Sequence, residues 1–130
     1  MTIRRIGSGP GLPSGFPFSL AVEHDGVLHI SGMPALDTAG RFAPGTFEEK
    51  ADRAWAGVTA IAAAAAGYSP QEFVFVQVLL ADIGDYGDLN RWWRRQFPDA
   101  ATAPARLTFQ AGALPFGAQI EVQATAAHDR

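Results

Sequence analysis

The sequence predicts a single α+β domain in which two helices cover one face of a mixed or antiparallel sheet. Three observations lead to this fold class. The chain has 130 residues, which is the length of one ordinary domain. It is 48% hydrophobic and 18% charged, a balance that suits a packed core. Strand-like and helix-like patterns follow one another in the order strands, helix, strand, helix, strands. No repeat or linker divides the chain, so we assign residues 1–130 to one domain.

The first predicted elements are two strands, residues 18–23 and 27–31, joined by the turn His24-Asp25-Gly26. Asp-Gly between two apolar runs is typical of a tight hairpin turn. A long helix is predicted over residues 47–66. Its start is marked by Thr46 with Glu49 three positions later, the pattern of a capping box, and Gly67 supplies its end.

The second half of the chain repeats this alternation. Residues 73–80 form a strand that is apolar on both faces, and Asp85 is predicted to cap a second helix that runs to Phe97. Residues 105–111 and 118–126 are predicted to form a final hairpin. Two helices cover only one face of a sheet, so a doubly apolar strand needs a second cover. We therefore expect a homo-oligomer.

The predicted final hairpin carries polar side chains on one face. Its apolar residues fix the register, because a slip of one residue inverts a strand. Arg106 and Glu121 are therefore expected on the same face, close to each other. One interpretation is a structural ion pair. The other is a site for a small carboxylate, because the planar fork of arginine binds carboxylates and a nearby glutamate can deprotonate a water.

Several segments resemble the RidA/YjgF family, also called L-PSP endoribonucleases. Pro104-Ala105-Arg106 and Ile120-Glu121-Val122 are similar to its C-terminal signature, and residues 30–34 (Ile-Ser-Gly-Met-Pro) resemble its Ser-Gly-Gln-hydrophobic-Pro turn. The long helix ending at Gly67 and the segment Asp82 to Asn90 also match in order. The resemblance covers nearly the whole chain.

The resemblance implies a chorismate-mutase-like fold, a homotrimer, and ligand sites in the clefts between subunits. It implies hydrolysis of 2-imino acids, of the 2-iminopropanoate and 2-iminobutanoate type, to 2-oxo acids and ammonia without a metal or cofactor. Arg106 corresponds to the arginine that holds the substrate carboxylate, and Glu121 to the glutamate that positions the water. The substrate-binding positions are Phe18, Ser31, Gly32, Asn90 and Thr108.

Two of these positions depart from the family pattern. Phe18 stands where the deaminases usually have tyrosine, and Thr108 stands where cysteine is usual. The lost pocket hydroxyl at Phe18 keeps two alternatives open: a non-catalytic trimer that binds a small carboxylate, or a hydrolase of the same family with another, pathway-specific substrate. Ribonuclease activity is a weaker alternative, because the basic run Arg91–Arg95 is expected to be a solvated helix face.

Composition and charge narrow the function classes further. The chain contains no cysteine, which excludes disulfides and thiolate chemistry, and its three histidines are too scattered for a metal site. Its net charge of −3 argues against nucleic acid as a partner. No apolar run is long enough for a membrane span or a signal peptide. We therefore expect a cytoplasmic protein whose partners are a small carboxylate-bearing substrate and further copies of itself.

Overall fold

Six strands and two helices make up the part of the chain that the computed structural model describes, residues 2–7, 12–37, 40–64 and 67–128. In chain order they are β1 (Arg4–Ile6), β2 (Ala21–His24), β3 (Val27–Pro34), α1 (Phe47–Ala64), β4 (Phe73–Leu80), α2 (Tyr86–Gln96), β5 (Ala105–Gln110) and β6 (Ile120–Ala127). The predicted α+β class and the order of the elements are confirmed. The three-residue strand β1 was not predicted.

The six strands form one mixed sheet in the order β1-β2-β3-β6-β4-β5. Every neighbouring pair is antiparallel except β4 and β5, which are parallel. The prediction that the last two strands form a hairpin is therefore wrong, because β4 lies between them. Local alternation in β5 and β6 is compatible with either arrangement, and only the pairing of both strands with β4 decides it.

The first hairpin has the predicted turn. Asp25 and Gly26 both have positive φ angles, 52° and 75°, as a type I′ turn requires. The strand before it is shorter than predicted and begins at Ala21 rather than Phe18. Ser19 lies outside the strand, where its carbonyl oxygen accepts a hydrogen bond of 2.7 Å from the Ser31 hydroxyl.

Helix α1 begins with the predicted capping box. The Thr46 amide donates to the Glu49 carboxylate at 3.0 Å, and the Glu49 amide donates to the Thr46 hydroxyl at 3.2 Å. The helix is assigned to Ala64, and the last two residues of the predicted range, 65 and 66, lie outside the described residues. Gly67 follows with a φ of +71°, and its amide donates to the Ala63 carbonyl at 3.0 Å.

Helix α2 begins differently from the prediction. The Asp85 side chain makes no capping bond, because a short 3₁₀ turn over Ile83–Asp85 precedes the helix. The capping side chain of that turn is Asp82, which accepts from the Gly84 amide at 2.8 Å. Asp88, in the first turn of α2, forms an ion pair with Arg91.

The helices cover one face of the sheet, and the core lies between them. Val76, Val78 and Leu80 of β4 point into this core and are fully buried. The opposite face, called the open face here, carries Leu107 and Phe109 of β5, which are 46% and 41% exposed. Within the described residues no helix is both long and apolar enough to cross a bilayer.

The two glycines at the ends of the helices lead to opposite predictions. Replacing Gly67 with Ala forces a side chain into positive φ and destabilises the protein by about 1 kcal/mol. The matched change Gly87→Ala lies inside α2, where its new Cβ meets no atom within 4 Å. It stabilises by up to about 1 kcal/mol through helix propensity. Urea unfolding of both variants measures the difference, and equal effects of the two changes would contradict this account.

Candidate active site

Arg106 is held in place by neutral groups of α2. Its Nη2 donates to the Asn90 side-chain oxygen at 2.8 Å and to the Tyr86 hydroxyl at 3.3 Å. The guanidinium also lies 5.0 Å from the ring centre of Trp93 and 5.6 Å from that of Tyr86. We call Arg106, Tyr86, Asn90 and Trp93 the arginine cluster. None of these partners carries a negative charge, so the cluster presents an uncompensated cation to an incoming anion.

The fold explains why these four residues meet. Arg106 pairs in register with Val76 of β4, whose side chain points toward the helices, so Arg106 points to the same side. On α2, Tyr86, Asn90 and Trp93 follow one another at spacings of four and three residues and share one face. That face lies against Arg106.

The arginine cluster borders an open cleft with a volume of about 550 Å³. The size is within the range of small-molecule sites. Its lining comes from the C-terminal half of α2, the loop that follows and the start of β5: Asn90, Trp93, Arg94, Phe97, Pro98, Ala100, Ala103, Pro104 and Arg106.

Glu121 lies in a second cluster, on β6 against β3. Gly32 leaves the space that its carboxylate occupies, since a Cβ built on Gly32 would come within 2.7 Å of Glu121 Oε2. Beside Gly32, the Ser31 hydroxyl donates to the Ser19 carbonyl. We call Glu121, Gly32 and Ser31 the glutamate cluster. Partial burial raises the pKa of the Glu121 carboxyl, and among the described residues no group forms a hydrogen bond or ion pair with it.

The two clusters lie on opposite faces of the sheet. Arg106 pairs with Val76 and Glu121 pairs with Leu79, and these two residues of β4 are an odd number of positions apart. Side chains alternate along a strand, so the two pairs point to opposite sides. Ile120 and Val122 enter the core while Glu121 faces the open side. The expectation that Arg106 and Glu121 share a face is therefore wrong for a single chain.

The two positions that depart from the family pattern lie apart from these contacts. Phe18 is 49% exposed in the loop before β2 and stacks on Phe16, with ring centres 5.2 Å apart. Thr108 lies on the helix-facing side of β5 with Arg106. Its Oγ1 is buried and has no hydrogen-bond partner within the described part of the chain.

Tyr86 and Trp93 were not predicted from the sequence as supports of Arg106. Their spacing from Asn90, four residues before and three after, is the signal that could have identified them. No three His, Asp or Glu side chains come together as a possible metal site in the described ranges.

Comparison with known proteins agrees with the fold. Residues 12–128 match the family model described as Endoribonuclease L-PSP. The chain belongs to the RidA/YjgF family. It is 36% identical over 126 residues to the 2-iminobutanoate/2-iminopropanoate deaminases of Mus musculus and Homo sapiens, covering 95% of this chain and 91% and 90% of theirs.

The fold of this RidA/YjgF protein is likewise that of solved relatives. RidA from the Antarctic bacterium Psychrobacter sp. PAMC 21119 superimposes with a TM-score of 0.85 at 27% identity, covering 96% of this chain and 100% of that one. The resemblance described above for the sequence segments thus extends to the whole architecture.

The contact between Gly32 and Glu121 predicts a change in titration. NMR of the labelled protein is expected to place the pKa of Glu121 above that of an ordinary glutamate, because burial disfavours the charged form. Gly32→Ala pushes the carboxylate toward solvent and lowers this pKa. The control Gly57→Ala adds a Cβ 3.9 Å from Met33, an ordinary contact, and leaves it unchanged. An unaltered titration in Gly32→Ala would contradict the described contact.

Proposed function

We propose that this protein hydrolyses reactive 2-imino acids to 2-oxo acids and ammonia. The observation that carries the proposal is the uncompensated charge of Arg106, which is oriented by an amide, a hydroxyl and two rings instead of a carboxylate. Such a group is ready to bind the carboxylate of a substrate through two parallel hydrogen bonds. The names of the relatives, 2-iminobutanoate/2-iminopropanoate deaminases, support the same reaction.

The complete site takes two copies of the chain. A small imino acid cannot reach Arg106 and Glu121 of one chain, because they lie on opposite faces of the sheet. A second copy that packs on the open face brings its own β5 edge, with Arg106, toward the glutamate cluster. Leu107 and Phe109 give that face an apolar surface to bury. A closed ring of three such copies is the proposed homotrimer, with one site in each cleft.

The reaction needs only a base and a carboxylate anchor. Glu121 accepts a proton from water as the water oxygen bonds to the imine carbon, and the C=N electron pair moves to nitrogen, which takes a proton. The proton that nitrogen takes is the one that Glu121 accepted. Glu121 then removes the proton of the new hydroxyl group and transfers it to nitrogen, so that the C–N bond breaks, ammonia leaves and the C=O bond forms. The raised pKa of Glu121 suits this exchange, because burial makes its carboxylate a stronger base toward water.

The remaining positions have supporting roles in this proposal. Asn90 orients Arg106 through its 2.8 Å hydrogen bond. Gly32 leaves room for the Glu121 carboxylate, and Ser31 holds the strand to the loop that carries Phe18. Phe18 supplies an apolar wall where the family usually has a hydroxyl, and Thr108 contacts the ligand beside Arg106. No metal or organic cofactor takes part.

A non-catalytic carboxylate binder is the second candidate, and Phe18 favours it because a pocket hydroxyl is missing. Ribonuclease activity is not proposed. Arg95 donates to Glu48 at 2.8 Å and Arg91 pairs with Asp88, so these two basic groups of α2 are already neutralised. A cytoplasmic location is proposed on the sequence evidence alone.

Kinetics of three variants test the roles of the two charged residues. Arg106→Ala abolishes turnover and binding of 2-oxobutanoate, because the carboxylate finds no counter-charge in the cleft. Arg106→Lys keeps the charge but loses the planar fork, so it mainly raises KM. Glu121→Gln keeps binding and lowers kcat by about 10²–10⁴. An amino-acid oxidase supplies the imino acid. Turnover by Glu121→Gln at the rate of the parent would contradict this mechanism and favour the non-catalytic carboxylate binder.

Mixing two inactive variants tests whether the site is shared between copies. Arg106→Ala and Glu121→Gln subunits, unfolded together and refolded in equal amounts, regain about a quarter of the parent activity, because a quarter of the clefts pair an intact Arg106 with an intact Glu121. Each variant refolded alone is the control, and light scattering measures the mass of the assembly. A mixture without activity, or a monomeric parent, would contradict the shared site.

A further inference from the structure

We propose that Arg94 is a second anion-binding residue in the cleft and that the preferred substrates are imino forms of amino dicarboxylic acids. This inference rests on the proposed imine hydrolysis and adds to it the class of the substrate side chain. Three features of the cleft support it: its size, its charge and the helix face that lines it.

The cleft is larger than a three-carbon imino acid requires. Its volume in the single chain is about 550 Å³, and its lining includes the small residues Ala100 and Ala103. The carboxylate of a substrate bound to Arg106 would use only one end of this space. The side chain of the substrate therefore has room to extend along α2.

Arg94 lies where such a side chain would extend. Asn90, Trp93, Arg94 and Phe97 line the cleft at positions i, i+3, i+4 and i+7 of the α2 region, so they form one continuous face. Arg94 is four residues, about 6 Å along the helix axis, beyond Asn90, the residue that holds Arg106. A carbon chain of four or five atoms with a carboxylate at each end fits a span of this order.

The charge of the cleft points to an anion at both ends. Its lining includes two guanidinium groups, those of Arg94 and Arg106, and no Asp or Glu. Arg91 and Arg95, the neighbouring basic residues of the same helix, are paired with Asp88 and Glu48. Arg94 has no such partner within the described residues. Two cations facing one cleft repel each other, and a ligand with two negative charges relieves that repulsion.

Binding and turnover of matched ligands test the proposal. The stable probes are 2-oxoglutarate, with two carboxylates, and 2-oxobutanoate, with one, both measured by calorimetry. The corresponding imino acids are generated by glutamate oxidase and by a general amino-acid oxidase. The variants are Arg94→Gln and the charge-preserving Arg94→Lys. The control is Arg95→Gln, which removes the same charge from a residue of α2 that pairs with Glu48.

The parent is expected to bind 2-oxoglutarate more tightly than 2-oxobutanoate. Arg94→Gln weakens the binding of 2-oxoglutarate about tenfold and changes the affinity for 2-oxobutanoate less than about twofold, since only the dicarboxylate reaches the second cation. Arg94→Lys retains part of the affinity for 2-oxoglutarate that Arg94→Gln loses. Arg95→Gln binds both ligands as tightly as the parent does. The kcat/KM values for the two imino acids are expected to follow the same order.

Three results would overturn the proposal. The first is equal affinity of the parent for both ligands. The second is an equal decrease of both affinities in Arg94→Gln. The third is failure of Arg94→Gln to form the proposed homotrimer. The last would assign Arg94 to the contact between copies. If the parent hydrolyses no imino acid, the proposed reaction is wrong, but the selectivity of Arg94 for dicarboxylates is still decided by calorimetry.

Discussion

Parallel hydrogen bonding between β4 and β5 is the constraint on which the rest of the structure depends. Two consecutive parallel strands need a connection that crosses the sheet, and α2 is that connection. The crossover places one face of α2 against the side of β5 that carries Arg106. β6 then has to pair with the other edge of β4, and the register of that pairing turns Glu121 to the opposite face. A single pairing choice thus separates the two charged groups.

Each of the two clusters is electrostatically incomplete. Arg106 is surrounded by groups that orient it without neutralising it. The carboxylate of Glu121 is partly removed from water and accepts no hydrogen bond from the described residues. Structural ion pairs avoid both conditions, because burying a charge without a partner is unfavourable. Local arrangements that lower stability are typical of functional sites, where ligand and water supply the missing partners.

Much of the fold was predictable because its signals are local. The Asp25-Gly26 turn, the capping box at Thr46 and the glycine after α1 are read within a few residues, and all three are confirmed. The neighbours of β5 and β6 were not predictable in the same way. Their alternation describes which residues share a face of each strand, but strand order depends on contacts between distant segments.

The site shows the same limit. Arg106, Asn90, Gly32 and Glu121 were named from the sequence, and the structure brings Arg106 to Asn90 and Gly32 to Glu121. Arg106 was expected beside Glu121 because the alternation of β5 and β6 suggested that these two strands pair with each other. Asp85 was assigned as a cap because an aspartate before a helix usually is one, but the extra 3₁₀ turn moved that role to Asp82.

The open face also has a consequence for how the chain behaves after synthesis. β5 is an edge strand whose outward side chains include Leu107 and Phe109, and an apolar edge of this kind attracts other chains whether or not they are the right ones. In the proposed homotrimer other copies cover this face, so a chain that has folded but not yet assembled is exposed to aggregation. Its thermal stability should rise with protein concentration, as mass action requires when association covers surface that folding alone leaves in water. For the proposed homotrimer, abundance in the cell thus becomes part of what keeps the protein folded.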